Sequence, residues 1–171
     1  LFGRINPLHL GIDWDILRNW LGDANRVLAW GHAFTPRRID RSTQDLIDIE
    51  MPEAVTVIAE MANGAVVTCI QSGVTRFGEE RIEIYGEDGT LVYPRSGVLA
   101  GARDGDQGLT PLEVPAEFEE SWHAERDFIR FVESGRPDGV TTFHDGVKNI
   151  EFLEASSLSM NIGTWVSIPL P

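Results

Sequence analysis

Apolar residues recur at helical spacing near both ends of the chain and alternate with polar residues in the middle. The segment after Asp13 predicts a helix with one buried face. The apolar residues on that face are Ile16, Leu17, Trp20 and Leu21. Asp13 or Asp15 is predicted to cap its start, and Gly22 is predicted to end it in a left-handed conformation.

The alternating middle of the chain predicts two β-hairpins. Segments 55–61 and 65–74 flank Asn63-Gly64, a dipeptide that favours tight hairpin turns. A second pair of strands is predicted at 81–85 and 90–93, on either side of the turn at 86–89. The remaining predicted strands are 27–34, 98–102 and 112–114, whereas the polar, basic segment 35–45 is predicted to be an exposed loop.

Two helices and a strand are predicted after the hairpins. The first helix spans Phe118 to Val132, has an apolar stripe, and is followed by Gly135. The stripe consists of Phe118, Trp122, Ile129 and Val132. The second spans 143–160 after a capping-box start at Thr142 and Asp145, with a stop at Asn161 or Gly163. A last strand follows at 165–168. This order predicts an α+β fold, with an open, mostly antiparallel sheet and helices packed on one face, in a single domain over residues 1–171.

Size and charge restrict the classes of function. The chain has 171 residues, 42% of them hydrophobic, and a formal net charge of −13. This composition is typical of a globular domain, and its acidity argues against nucleic acid and anionic membranes as partners. Cys69 is the one cysteine, so an internal disulfide is excluded. With no leader and no apolar run of membrane length, we expect a cytoplasmic location.

His9 and Asp13 are the residues that point most directly to chemistry. They lie four positions apart with Gly11 between them, and that spacing places both side chains on one face in helical geometry. A carboxylate beside an imidazole suits general acid–base catalysis. The alternative is that Asp13 caps the helix and His9 packs in the preceding loop.

Other arrangements are weaker. His9, Asp13 and Asp15 would bind a metal only if the fold brought His32 to them. The arginines of the basic loop either meet an anionic group or are solvated, and these are Arg37, Arg38 and Arg41. His123 and His144 are interpreted as surface or capping residues.

Several segments, in order, resemble the C-terminal domain of the glucose–fructose oxidoreductase/inositol dehydrogenase (Gfo/Idh/MocA) superfamily. Residues 15–22, DILRNWLG, resemble the family's Asp-Leu-Leu-Arg-Trp-Leu-Leu-Gly helix. Residues 62–67, ANGAVV, resemble its hairpin, and 81–91, RIEIYGEDGTL, resemble its Glu-Ile-Tyr-Gly-x-x-Gly-Thr-Leu segment. Residues 143–168 resemble its closing helix and strand, so the resemblance covers nearly the whole chain.

The resemblance implies an NAD(P)-dependent oxidoreductase that acts on a sugar, polyol or related hydroxy compound. In the family an N-terminal Rossmann domain binds NAD or NADP and carries a catalytic lysine in a Glu-Lys-Pro motif. We therefore expect this chain to be a fragment of a two-domain protein, missing that domain and binding no cofactor by itself. The C-terminal domain supplies substrate contacts, and its open sheet commonly packs on another subunit, which implies a homo-oligomer.

The family's signature in this domain is Asp-x-Gly-x-His-x-x-Asp, and here the Asp and His have exchanged places. The segment reads His9-Leu-Gly11-Ile-Asp13-Trp-Asp15, and its last step is one residue shorter. The resemblance implies His9 and Asp13 as catalytic residues. It implies substrate contacts for Gly11, Trp14 and Asp15. Either the exchanged pair still moves a proton, or it only builds the pocket of a non-catalytic ligand-binding or assembly domain.

Overall fold

A computed structural model describes residues 7–95, 97–118, 123–137 and 140–171. The chain divides into two compact units, Leu1–Val74 with Arg136–Pro171, and Thr75–Gly135. The elements of the first unit are α1 (Pro7–Leu21), β1 (Ala24–His32), β2 (Arg37–Ile39), β3 (Leu46–Asp48), β4 (Ala54–Met61), β5 (Val66–Ser72), α3 (Phe143–Ile162) and β10 (Val166–Ser167). Those of the second are β6 (Arg81–Gly86), β7 (Gly89–Pro94), β8 (Ala100–Arg103), β9 (Thr110–Pro111), a 3-10 turn (Ala116–Phe118) and α2 (Ala124–Ser134).

The first unit is a four-stranded antiparallel sheet in the order β10-β1-β4-β5, with α1 and α3 packed on one face. Side chains of β4 alternate between buried and half-buried, as the two-residue period of a strand requires. Val27, Val57 and Val67 lie on the covered face and form the core with apolar residues of both helices. The α+β class predicted from the sequence is confirmed.

Helix α1 begins at Pro7, earlier than predicted. Proline is favoured at the first helical position because its missing N–H is not needed there. The predicted cap at Asp13 or Asp15 is therefore wrong, since both residues lie inside the helix. Gly22 does end it, with φ +83° and its N–H donated to the Arg18 carbonyl at 2.8 Å.

The buried face of α1 also differs from the predicted one. Leu10 and Trp14 are buried, Leu17 and Leu21 pack against the core, and Ile16 and Trp20 are exposed. Because the helix starts earlier, the core-facing stripe extends toward its N-terminus at positions 10, 14, 17 and 21. The sequence predicted the buried face from residues after Asp13 alone. It therefore included Ile16 and Trp20, which are exposed, and left out Leu10 and Trp14.

The hairpin at Asn63-Gly64 is confirmed. Gly64 has φ +90°, and the Asn63 side-chain carbonyl accepts the Ala65 N–H at 3.0 Å. The exposed loop predicted for 35–45 is partly wrong, because β2 and β3 pair as an exposed antiparallel ribbon. The ribbon has no buried face, so the sequence carries no period that would reveal its strands.

Helix α3 begins and ends where the sequence predicts. Thr142 and Asp145 form the capping box, and Gly163 ends the helix with φ +70°. The Arg18 guanidinium connects α1 to the first turn of α3, because its Nη1 lies 2.9 Å from Asp145. Its Nε lies 2.8 Å from Asp23. Strand β10 then pairs with β1, which confirms the last predicted strand.

The second unit is a four-stranded antiparallel sheet in the order β6-β7-β8-β9, followed by α2. The second predicted hairpin is confirmed, with Gly86 opposite Gly89. The strand predicted at 112–114 is wrong, because the ladder to β8 uses Thr110 and Pro111 instead. Helix α2 starts later than predicted, and its Gly135 stop is confirmed with φ +67°. Trp122 lies outside the described residues, and Ile129 and Val132 are exposed.

Candidate functional site

Asp13 lies on the outer side of α1 and is joined to the sheet by one hydrogen bond. The Gln71 side-chain amide donates from Nε2 to Asp13 Oδ2 at 2.6 Å. Gln71 belongs to β5, which is the edge strand of the sheet, and α1 packs on that strand. The second carboxylate oxygen of Asp13 accepts no hydrogen bond from any part of the chain that the structure describes. It is therefore available to a ligand.

His9 is exposed one helical turn before Asp13. The two side chains share a face of α1 because they are four residues apart in a continuous helix. No hydrogen bond joins them among residues 7–95, so His9 and Asp13 are neighbours rather than a bonded pair. Such a pair can serve two different atoms of one ligand.

Cys69 lies beneath this surface, two positions before Gln71 on the same side of β5. Burial and, second, the nearby Asp13 carboxylate raise the pKa of the Cys69 thiol to about 12. At neutral pH this thiol is protonated. It is a core group under the site and not a nucleophile within it.

Gly11 faces the other helix rather than open solvent. A Cβ built on Gly11 would lie 3.5 Å from Leu153 Cδ1, which is ordinary van der Waals contact. The space would therefore admit alanine, and a glycine inside a helix costs about 0.5–1 kcal/mol relative to alanine. Packing against α3 does not explain this glycine.

Trp14 is a core residue. Its ring stacks on Phe152 of α3 with centroids 3.6 Å apart, and the residue is 1% exposed. The indole Nε1 is buried without an acceptor among the described residues. Trp14 therefore packs in the core of this structure, and its substrate contact stays a prediction.

Asp15 is directed toward α3 rather than toward Asp13. The Asn149 side-chain amide donates from Nδ2 to Asp15 Oδ1 at 2.8 Å. Asp15 is half-buried, and this bond joins the two helices. The two carboxylates of the motif thus have different neighbours, the sheet edge for Asp13 and α3 for Asp15.

The other residues considered from the sequence lie elsewhere. His32 is at the end of β1, where its ring is 5.8 Å from Trp30 and 4.8 Å from Phe34, centroid to centroid. Arg37 forms an ion pair with Asp48, and Arg38 forms one with Glu53. Within the described ranges no group of three or more His, Cys, Asp or Glu side chains is placed to bind a metal.

Gln71 is the site residue that the sequence analysis missed. Alternation along β5 places Val67, Cys69 and Gln71 on the helix-covered side, and Gln71 is the polar one. A polar residue in register with buried ones, at the end of a strand, is the signal that could have identified it.

Every pair of strands in the three sheets is antiparallel, whereas a nucleotide-binding Rossmann unit needs parallel strands joined through a helix. No described helix is long and apolar enough to cross a bilayer.

Comparison with known sequence families gives a match over the first half of the chain. The model of the GFO/IDH/MocA C-terminal domain matches residues 12–92. These residues belong to that family. The match includes Asp13 and Gln71 and begins three residues after His9. No curated protein sequence matches the chain.

Solved structures share the fold of this chain. An NAD-binding oxidoreductase from Klebsiella pneumoniae matches with a TM-score of 0.76 and 18% identity, over 94% of this chain and 49% of its own. Levoglucosan dehydrogenase, in complex with NADH and L-sorbose, matches with a TM-score of 0.75 and 21% identity, over 93% and 49%. The chain spans about half the length of both structures. At these identities the likeness establishes the fold.

Proposed function

We propose that this domain is the substrate-binding half of an NAD(P)-dependent oxidoreductase that acts on a sugar, polyol or related hydroxy compound. The observation that carries the proposal is the side-by-side placement of exposed His9 and Asp13 on α1, with Asp13 held at one oxygen by Gln71. The family of residues 12–92 and the NADH-bound structures of the same fold support it.

The proposed chemistry of the two side chains is proton transfer at a substrate hydroxyl. NAD(P), held by another part of the full-length protein, would supply the hydride chemistry. An imidazole is a common general acid or base in enzymes, and this is the role that we assign to His9. The free Oδ1 of Asp13 can accept the hydrogen bond of a second hydroxyl and orient the substrate. Acid–base help of this kind contributes about 10²–10⁴-fold to rate.

His9→Ala and Asp13→Ala test the proposal in the full-length protein. We expect each to lower kcat/KM by about 10²–10⁴ on a panel of sugars and polyols with NAD or NADP. His144→Ala is the matched control, because His144 is also an exposed histidine in the first turn of a helix and lies outside the candidate site.

The outcome also separates the proposal from a non-catalytic role. Full activity in both variants, with the control unchanged, would assign the pair to a ligand-binding or assembly domain. The expected loss of stability is small, because both side chains are exposed and neither caps the helix. Residues 1–171 alone should give no saturable NADH or NADPH fluorescence signal. Micromolar binding would contradict a cofactor site elsewhere.

A second part of the proposal is self-association through the open face of the first unit's sheet, opposite α1 and α3. Trp30 of β1 and Val66 and Ile70 of β5 lie on this face and are all exposed, with Ile70 at 75%. Apolar residues grouped in this way are typical of an interface, and a two-fold dimer is the commonest form.

Ile70→Glu tests the proposed interface by sedimentation. We expect the substitution to weaken self-association at least tenfold, because it places a charge on an apolar contact surface. Ile39→Glu is the control, since Ile39 is similarly exposed on the β2–β3 ribbon. A wild-type chain that remains monomeric at high concentration, or equal effects of both variants, would contradict this interface.

A further inference from the structure

Gln71 makes a long-range contact with Asp13. Its Nε2 is 2.6 Å from Asp13 Oδ2, across 58 positions of sequence. Gln71 is half-buried and pairs with Val55 in the β4–β5 ladder, so its backbone is fixed by the sheet. The amide therefore reaches Asp13 from a rigid element, and Asp13 itself is on the outer side of α1.

We propose that Gln71 is a positioning residue that fixes the orientation of the Asp13 carboxylate toward a hydroxy substrate. The inference rests on the proposed function, because it concerns the same site. A neutral amide donor holds one carboxylate oxygen without adding a neutralising charge, and the other oxygen stays free to accept from a substrate. Sites of this kind need side chains held to within about 0.5 Å, and a neighbouring hydrogen bond is the usual means.

The rest of α1 is already held without Gln71. Trp14 stacks on Phe152, Asp15 bonds to Asn149, and Arg18 bonds to Asp145, all on α3. A single hydrogen bond between exposed and half-buried groups adds little to folding by comparison. Loss of the Gln71 amide should therefore disturb the orientation of Asp13 much more than it disturbs the helix.

The experiment is a pair of substitutions in the full-length protein, each measured alone and together with Asp13→Ala. We expect Gln71→Leu to lower kcat/KM about tenfold, mostly through kcat, with an unchanged melting temperature. Gln71→Glu, which keeps the length but replaces the donor with a second carboxylate, should lower it at least as much. Gln107→Leu is the matched control, because Gln107 is exposed in the loop after β8.

The double-mutant cycle decides whether Gln71 acts through Asp13. In the Asp13→Ala background, Gln71→Leu should change kcat/KM by less than twofold, since the group that it positions is gone. An equal tenfold loss in both backgrounds, or no loss in the wild type, would overturn the positioning role while leaving the proposed function intact. Full activity in Asp13→Ala would instead overturn the proposed function and this inference with it.

A readout that does not depend on turnover comes from NMR of the protein labelled with 15N-glutamine. The side-chain amide signal of Gln71 should shift in Asp13→Ala and stay in place in Asp15→Ala. Identical Gln71 spectra in wild type and Asp13→Ala would show that the contact is not made in solution, and the inference would fail.

Discussion

Ser159 supports the edge of β1 where β10 ends, and its removal is predicted to be costly. The ladder between β1 and β10 covers only Arg26 and Val27. The Ala29 N–H instead donates to Ser159 Oγ at 2.9 Å, and the same hydroxyl donates to the Thr164 carbonyl at 2.6 Å. Ser159 is completely buried, so no water can replace it at Ala29.

Ser159→Ala should therefore lower the free energy of unfolding by about 2–3 kcal/mol. The unpaired N–H of Ala29 accounts for about 1–3 kcal/mol, and loss of the bond to Thr164 adds to it. The better helix propensity of alanine offsets about 0.5 kcal/mol.

Ser156→Ala is the matched control, since Ser156 is equally buried in the same helix. Its hydroxyl donates to the Phe152 carbonyl at 2.8 Å, which also accepts a backbone N–H of the helix. Removing the Ser156 hydroxyl leaves no buried donor or acceptor without a hydrogen bond, so the free energy of unfolding should fall by no more than about 1 kcal/mol.

Urea unfolding followed by circular dichroism measures both variants. With a slope of about 1–3 kcal/mol per molar urea, the midpoint of Ser159→Ala should fall by about 1 M more than that of Ser156→Ala. Equal midpoints for the two variants would refute the reasoning, because burial and residue type are matched and the variants differ only in the Ala29 N–H and the Thr164 carbonyl that lose their partner.

Two further predictions follow from the shifted pKa values. Hydrogen bonds from the hydroxyl and N–H of Thr142, then the bond from Arg18, hold the pKa of Asp145 well below its ordinary value. This carboxylate therefore stabilises the fold above the unfolded pKa of about 3.9, and its contribution is lost as the pH falls below that. Asp145→Asn should lower the free energy of unfolding by about 1–2 kcal/mol at pH 7. Urea unfolding at a series of pH values should show that the stability of the variant falls less steeply in acid than that of the wild type. An unchanged pH profile would contradict this. Because the pKa of Cys69 is raised to about 12, its thiol should react with a thiol reagent at pH 8 far more slowly when folded than in urea, and comparable rates would show an exposed thiol.

Local signals in the sequence predicted the parts of the fold that depend on neighbouring residues. The turn at Asn63-Gly64, the capping box of Thr142 with Asp145, and the stop at Gly163 all form where the sequence indicates. Each of these is a hydrogen bond or a backbone conformation within about four residues, so the residue types suffice to specify it. Periodicity likewise predicted the strands of the two main hairpins.

Errors arose where tertiary contacts override local patterns. Helix α1 begins at Pro7 because Leu10 and Trp14 are buried against α3 and the sheet, and this extends the helix beyond the pattern that follows Asp13. The exposed β2–β3 ribbon has no buried face, so no period marks it in the sequence. Trp14 lies in the motif, and only tertiary packing places its ring on Phe152.

The candidate site likewise has features that the sequence specifies and features that only tertiary contacts fix. The four-residue spacing of His9 and Asp13 is set by the sequence, and it puts the two side chains on one face of any helix that contains both. That helix α1 begins early enough to contain His9 was decided by tertiary packing. Only the tertiary structure decided which partner each carboxylate of the motif has, with Asp13 at Gln71 and Asp15 at Asn149. Both partners are more than fifty residues away in the chain, and contacts at that separation are fixed by how helices pack on the sheet, which no local pattern encodes.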